Sequence, residues 1–103
     1  MKIILLFLTC AHKAEADKIA ASLLEKRFVA CVKMMPISAQ FLWQGSIDNA
    51  DEVLLIMDSQ ESNFDKIEQE VKKLHSYKTF VLTAIEVTKA SKGVDQWIQE
   101  SMQ

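Results

Sequence analysis

Proline occurs once in this 103-residue chain and glycine twice, which leaves little material for long irregular loops or a flexible linker. Cysteine is nearly as scarce. Two residues, Cys10 and Cys31, give no framework of crosslinks, and a reducing cytoplasm is the default setting for them. A chain of this size buries roughly two-thirds of its unfolded surface, enough for a single domain over residues 1–103 with no staple. An excess of one charge is also missing. The net charge is −2, with acids and bases interspersed, so the basic footprint of a nucleic-acid binder is absent. No apolar run approaches the ~20 residues of a membrane helix. The opening run, Ile3 to Leu8, is shorter than the ~7–15 residues of a secretory signal's apolar region. It predicts a first buried strand, apolar on both faces.

Half the residues are hydrophobic, and their spacing is regular. After the strand at Lys2 to Thr9, Ala16, Ile19, Ala20, Leu23 and Leu24 recur at helical intervals, with Glu15, Asp17, Lys18 and Glu25 on the wet face. That helix is expected from about His12 to Lys26. Val29 to Met35 reads as strand, Pro36 as an edge position or bulge, and the strand resumes through Phe41 to Trp43. The turn falls around Gln44–Ser46 or at the polar Asp48 to Asp51. Gly45 is the better choice, because it divides two extended runs of similar length. Glu52 to Asp58 is the return strand. Ser62 with Asp65 three residues on suggests a capped start for a second helix, whose stripe is Phe64, Ile67, Val71 and Leu74. Phe80 to Val87 is the last strand, and Val94, Trp97 and Ile98 mark a short terminal helix.

The order βαββαβ predicts an α+β fold. It is the ferredoxin-like plait, with a long extended hairpin and a C-terminal helix added. Strands of about 29–43 and 47–58 exceed the ~5–6 residues typical of strands. Two helices cannot cover such a hairpin, so copies of the chain are expected to satisfy its apolar edge. Phe41 and Trp43 alternate onto one face of the arm and are the expected interface anchors.

The stretches "RFVACVKMMPI" (27–37), "FLWQGSIDNADEVLLIMDS" (41–59) and "LHSY" (74–77) are together similar to the CutA family, the divalent-cation tolerance proteins. Their counterparts there are R-L-A-A-C-V-N-I-x-P, Y-x-W-x-G-K-I-E-x-x-x-E-x-L-L-I-x-K-T and L-H-P-Y. The resemblance runs from about Leu5 to Ile98. It implies a homotrimer in which long hairpins embrace neighbouring subunits. It also implies a role in the response to divalent metals, with Cys31 and His75 as metal ligands. The chain departs from the pattern at Ser76, where the family has proline, and at Lys78, where it has glutamate. Phe80 replaces a proline, Val81 a glutamate and Lys33 an asparagine.

Those departures shape the expected chemistry. His75 can close the second helix or bind a ligand in a pocket. It is placed at the rim of an intersubunit cleft, beside Tyr77 and within reach of Cys31's strand. Lys33 and Lys78 would add positive charge there, so a small anion on His75, Tyr77, Lys33 and Lys78 is favoured over tight metal. Copper or zinc would bind weakly through Cys31 and His75, and no cofactor is required. Cys10 and His12 follow the first strand but match no zinc spacing by themselves. No acid–base pair, phosphate loop or catalytic triad is visible, so the protein is expected not to be an enzyme. The alternative is a structural or signalling trimer whose surface binds another protein.

Overall fold

The first strand, β1 (Ile3–Cys10), alternates strictly in a computed structural model that describes residues 1–103. Ile4, Leu6, Leu8 and Cys10 are buried, whereas Ile3, Leu5, Phe7 and Thr9 are only half-buried. The strand is therefore covered on one face within the chain, not on both. Helix α1 (Lys13–Glu25) lays Ala16, Ile19 and Leu23 on the buried face. His12 is its N-cap, and its Nδ1 accepts the Glu15 N–H at 3.2 Å, the task usually done by a serine or aspartate oxygen.

β2 (Cys31–Trp43) and β3 (Ser46–Gln60) form one continuous hairpin. The turn is Gln44–Gly45, as expected. Both residues have positive φ, 50° and 83°, the geometry of the two-residue loop whose twist matches the flanking strands. Pro36 does not interrupt β2. That strand is the outermost of the sheet, where a residue lacking an N–H is tolerated.

The expected cap at Ser62 does not form. A 3₁₀ turn at Glu61–Asn63 leads into α2 (Phe64–Leu74), and Asn63 at the N-cap makes no capping bond. Its side-chain amide instead donates to the Phe28 carbonyl at 3.0 Å, tying the start of α2 to the segment after α1. β4 (Leu82–Glu86) is shorter than the sequence suggests, and α3 (Val94–Ser101) follows with Ile98 fully buried.

The sheet is antiparallel in the order β2-β3-β1-β4. This is the ferredoxin-like plait. Ile67 and Val71 of α2 join α1 in packing on Leu6, Leu8, Leu55 and Met57, so both helices lie on one face. Leu5, Phe7, Leu54 and Ile56 on the other face stay half-exposed, and Ile85 is 54% exposed. The hairpin also outruns its neighbours. β1 pairs with β3 only as far as Cys10 opposite Val53, and beyond that β2 and β3 project alone to the turn.

Candidate functional site

Three elements bring side chains together where β1 ends. Cys10 is the last residue of β1, Glu15 lies in the first turn of α1, and His75 is the C-cap of α2. The His75 N–H still bonds Val71, but its backbone is already extended (φ −79°, ψ 138°), which swings the ring back onto β1. Its Nε2 lies 2.8 Å from the Thr9 carbonyl. A carbonyl only accepts, so Nε2 carries the proton and donates. Nδ1 is left with the lone pair and accepts the Tyr77 N–H at 3.0 Å. The two bonds thus hold the ring in one orientation and one tautomer. Phe80 stacks on it, with centroids 5.3 Å apart, and its side chain has no exposed surface.

Glu15 is not on the wet face where helical periodicity puts it. Its side chain is 6% exposed. One oxygen accepts the Ala11 N–H at 2.8 Å, the other the Ser76 N–H at 2.6 Å. Burial alone would raise its pKa. The Ser76 and Ala11 bonds outweigh that and hold it below the usual carboxylate value, so it is ionised. Cys10 is the opposite case. Burial first, then the fields of Glu15 and Glu52, push its thiol up to about 12. Tyr77 donates its hydroxyl to Glu52 at 2.6 Å, and that bond, helped by burial, raises the phenol to about 12.

One ligand atom from each of Cys10, Glu15 and His75 lies within 4.8 Å of the other two. Thiol, carboxylate and imidazole are the donor set of a borderline dication such as zinc or copper(II). Ligands around tetrahedral zinc stand about 3.5 Å apart, so a modest contraction would suffice. The residues fit such an ion in kind and place. Glu15 and His75 are also engaged with the protein itself, through Ala11, Ser76, Thr9 and Tyr77.

Several expected site residues lie elsewhere. Cys31 pairs with Asp58 and so stands level with Leu5, two strands across and well down the sheet from Cys10. Within the chain the sulfur beside His75 is Cys10, not Cys31. Lys33 donates to Asp58 at 3.2 Å on the open sheet face, away from His75, and Lys78 is exposed. Only Tyr77 of the expected anion-binding set keeps His75 company. The ring is sealed rather than at a rim. Glu15 stands 3.7 Å from the ring and Glu52 holds the Tyr77 hydroxyl, both on elements other than the one carrying Val81. Phe41 and Trp43 are 39% and 60% exposed on the projecting arm. Glu15 was legible in principle, because it stands three residues after the cap, where an acid can turn back on the helix start. Nothing local marks Glu52.

The model of the CutA1 divalent ion tolerance protein matches residues 4–101. The chain belongs to the CutA1 family. It is 36% identical over 98 residues to the divalent-cation tolerance protein CutA of Archaeoglobus fulgidus, spanning 95% of this chain and 96% of that one. A human relative, protein CutA, is 30% identical over 91% of this chain, which spans 53% of that longer sequence. Among solved structures, the one described as the periplasmic divalent cation tolerance protein CutA from Archaeoglobus fulgidus superposes with a TM-score of 0.95. It is 35% identical, with 98% and 99% of the two chains covered. The CutA1 fold therefore extends through the hairpin arm and the terminal helix.

Proposed function

We propose that this CutA1 chain serves divalent-cation tolerance by binding a borderline dication weakly at Cys10, Glu15 and His75, without catalysis. The convergence of those three donor atoms carries the reading. Two carboxylates, Glu15 and Glu52, give the site the sign a cation needs, and they argue against the anion favoured by the sequence. Weakness follows from the occupancy of the donors. An ion must displace the Cys10 proton, held far above neutrality, and must compete with N–H groups for His75 and Glu15.

The active form in this reading is a homotrimer, supported by the half-exposed apolar face and the unsupported arm. The half-exposed thiol of Cys31 suits a reducing compartment, and we place the protein in the cytoplasm. A trimer that instead binds another protein draws on Leu42 and Ile47, a cross-strand pair 79% and 76% exposed near the arm's tip.

Calorimetry with zinc and copper(II) tests the ion reading. Micromolar or weaker binding, lost in His75→Ala and Cys10→Ala and accompanied by proton release, is the expected result. Binding that survives both substitutions, or no heat at all, refutes it.

A further inference from the structure

The segment from His75 to Val81 joins α2 to β4 and lies outside any helix or strand. Two of its backbone N–H groups rest on the ligand side chains, one of them on the Nδ1 lone pair itself. Ser76 donates to Glu15 Oε1 and Tyr77 to His75 Nδ1, while the Tyr77 hydroxyl fastens to Glu52. The other ring nitrogen of His75 is committed to a carbonyl of the central sheet. Nδ1 is therefore the lone pair available to an ion, and it stands 3.7 Å from Glu15 Oε2. A dication entering between those atoms needs the lone pair that Tyr77's N–H now uses. One lone pair cannot serve both.

We propose that Ser76 to Phe80 is a latch, closed over the cation site by its own backbone, and that a bound divalent ion opens it. This rests on the cation reading above and adds a consequence to it. Ser76 and Tyr77 are exposed residues, so water can take their freed N–H groups, while full opening also gives up the Tyr77–Glu52 bond and the Phe80 stack. By linkage, whatever holds the latch shut weakens the ion by the same factor that the ion weakens the latch.

Ser76 supplies an independent handle. A proline at this position has no N–H to give Glu15, and His75 already has the extended backbone that a residue before proline adopts. Ser76→Pro should free one carboxylate oxygen and tighten the ion about tenfold, the order expected for a lost competing bond to a charge.

The test titrates zinc into the intact wild-type protein. Binding is followed by calorimetry, Tyr77 amide exchange by NMR, and the latch by trypsin cleavage after Lys78. At saturation the Tyr77 amide should lose about tenfold in protection, cleavage after Lys78 should accelerate, and Ser76→Pro should bind more tightly. Zinc that binds while Tyr77 protection holds or rises leaves the cation reading standing and overturns the latch. No binding by either wild type or Ser76→Pro sinks both.

Discussion

His75→Ala strips a buried donor from the Thr9 carbonyl and an acceptor from the Tyr77 N–H. It also empties the space against Phe80. An unsatisfied buried group costs about 1–3 kcal/mol, so the substitution should destabilise the fold by about 2–4 kcal/mol. Urea unfolding measures this, and a loss under 1 kcal/mol, roughly the worth of one ordinary hydrogen bond, would show the ring to be dispensable. The two thiols should also separate. Cys10 is fully buried and held protonated, and the thiolate is the reactive form. Mass spectrometry after brief alkylation at pH 8 should find Cys10 unmodified in the folded protein and modified in denaturant. Modification of the native Cys10 at the denatured rate would contradict its placement.

Among the elements, the hairpin turn and the helix pair make separable demands. Gly45 has φ +83° with open space around it, so an added Cβ meets no atom and the cost of Gly45→Ala is purely conformational. It should be about 1 kcal/mol, read as a shift in the unfolding midpoint. The helix pair is joined by Glu70 of α2, which accepts from Lys26 at 2.8 Å and from Ser22 of α1 at 2.7 Å. The Lys26 bond foremost, then that of Ser22, lowers its pKa below the ordinary 4.5. A lowered carboxylate pKa means that this contribution is fully present above pH 4.5 and is lost as pH falls through the folded value. Wild type and Glu70→Gln should therefore differ in stability at pH 7 and converge on acidification below 4.5. A gap that stays constant down to pH 3 would rule out the ion pair as its source.

The whole molecule leaves one sheet face half-exposed and an arm projecting alone. Light scattering at micromolar concentration should give three times the chain mass of 11.7 kDa. Trp43→Asp should lower that mass, because it buries a charge with no partner at the expected interface. A monomeric wild type would refute the trimer. An unchanged mass in the variant would move the interface away from the arm.

Periodicity and local chemistry determined much of this protein before any coordinates. The presence of β1, the stripes of α1 and α2 and the Gly45 turn follow from rules that act over a few residues, and the plait follows from their order. The one-sided burial of β1 does not show in its unbroken apolar run. The long hairpin showed in the sequence for the same reason. Only tertiary structure decided the site. Cys10, Glu15, Glu52 and His75 come from four elements, and which of them meet depends on strand register and on where each helix begins. Cys31 is kept from His75 because β2 lies two strands from β1 and its pairing sets Cys31 level with Leu5 rather than Cys10. His75 does close the second helix, but its backbone turns the ring inward to Thr9, where the sequence reading set it at the rim of a cleft. Glu15 and Glu52, rather than Lys33 and Lys78, are the charged groups gathered around Cys10 and Tyr77. Glu15 looks like a solvated helix acid in sequence, and it becomes a held anion only because Ala11 and Ser76, far apart in the chain, aim their N–H groups at it.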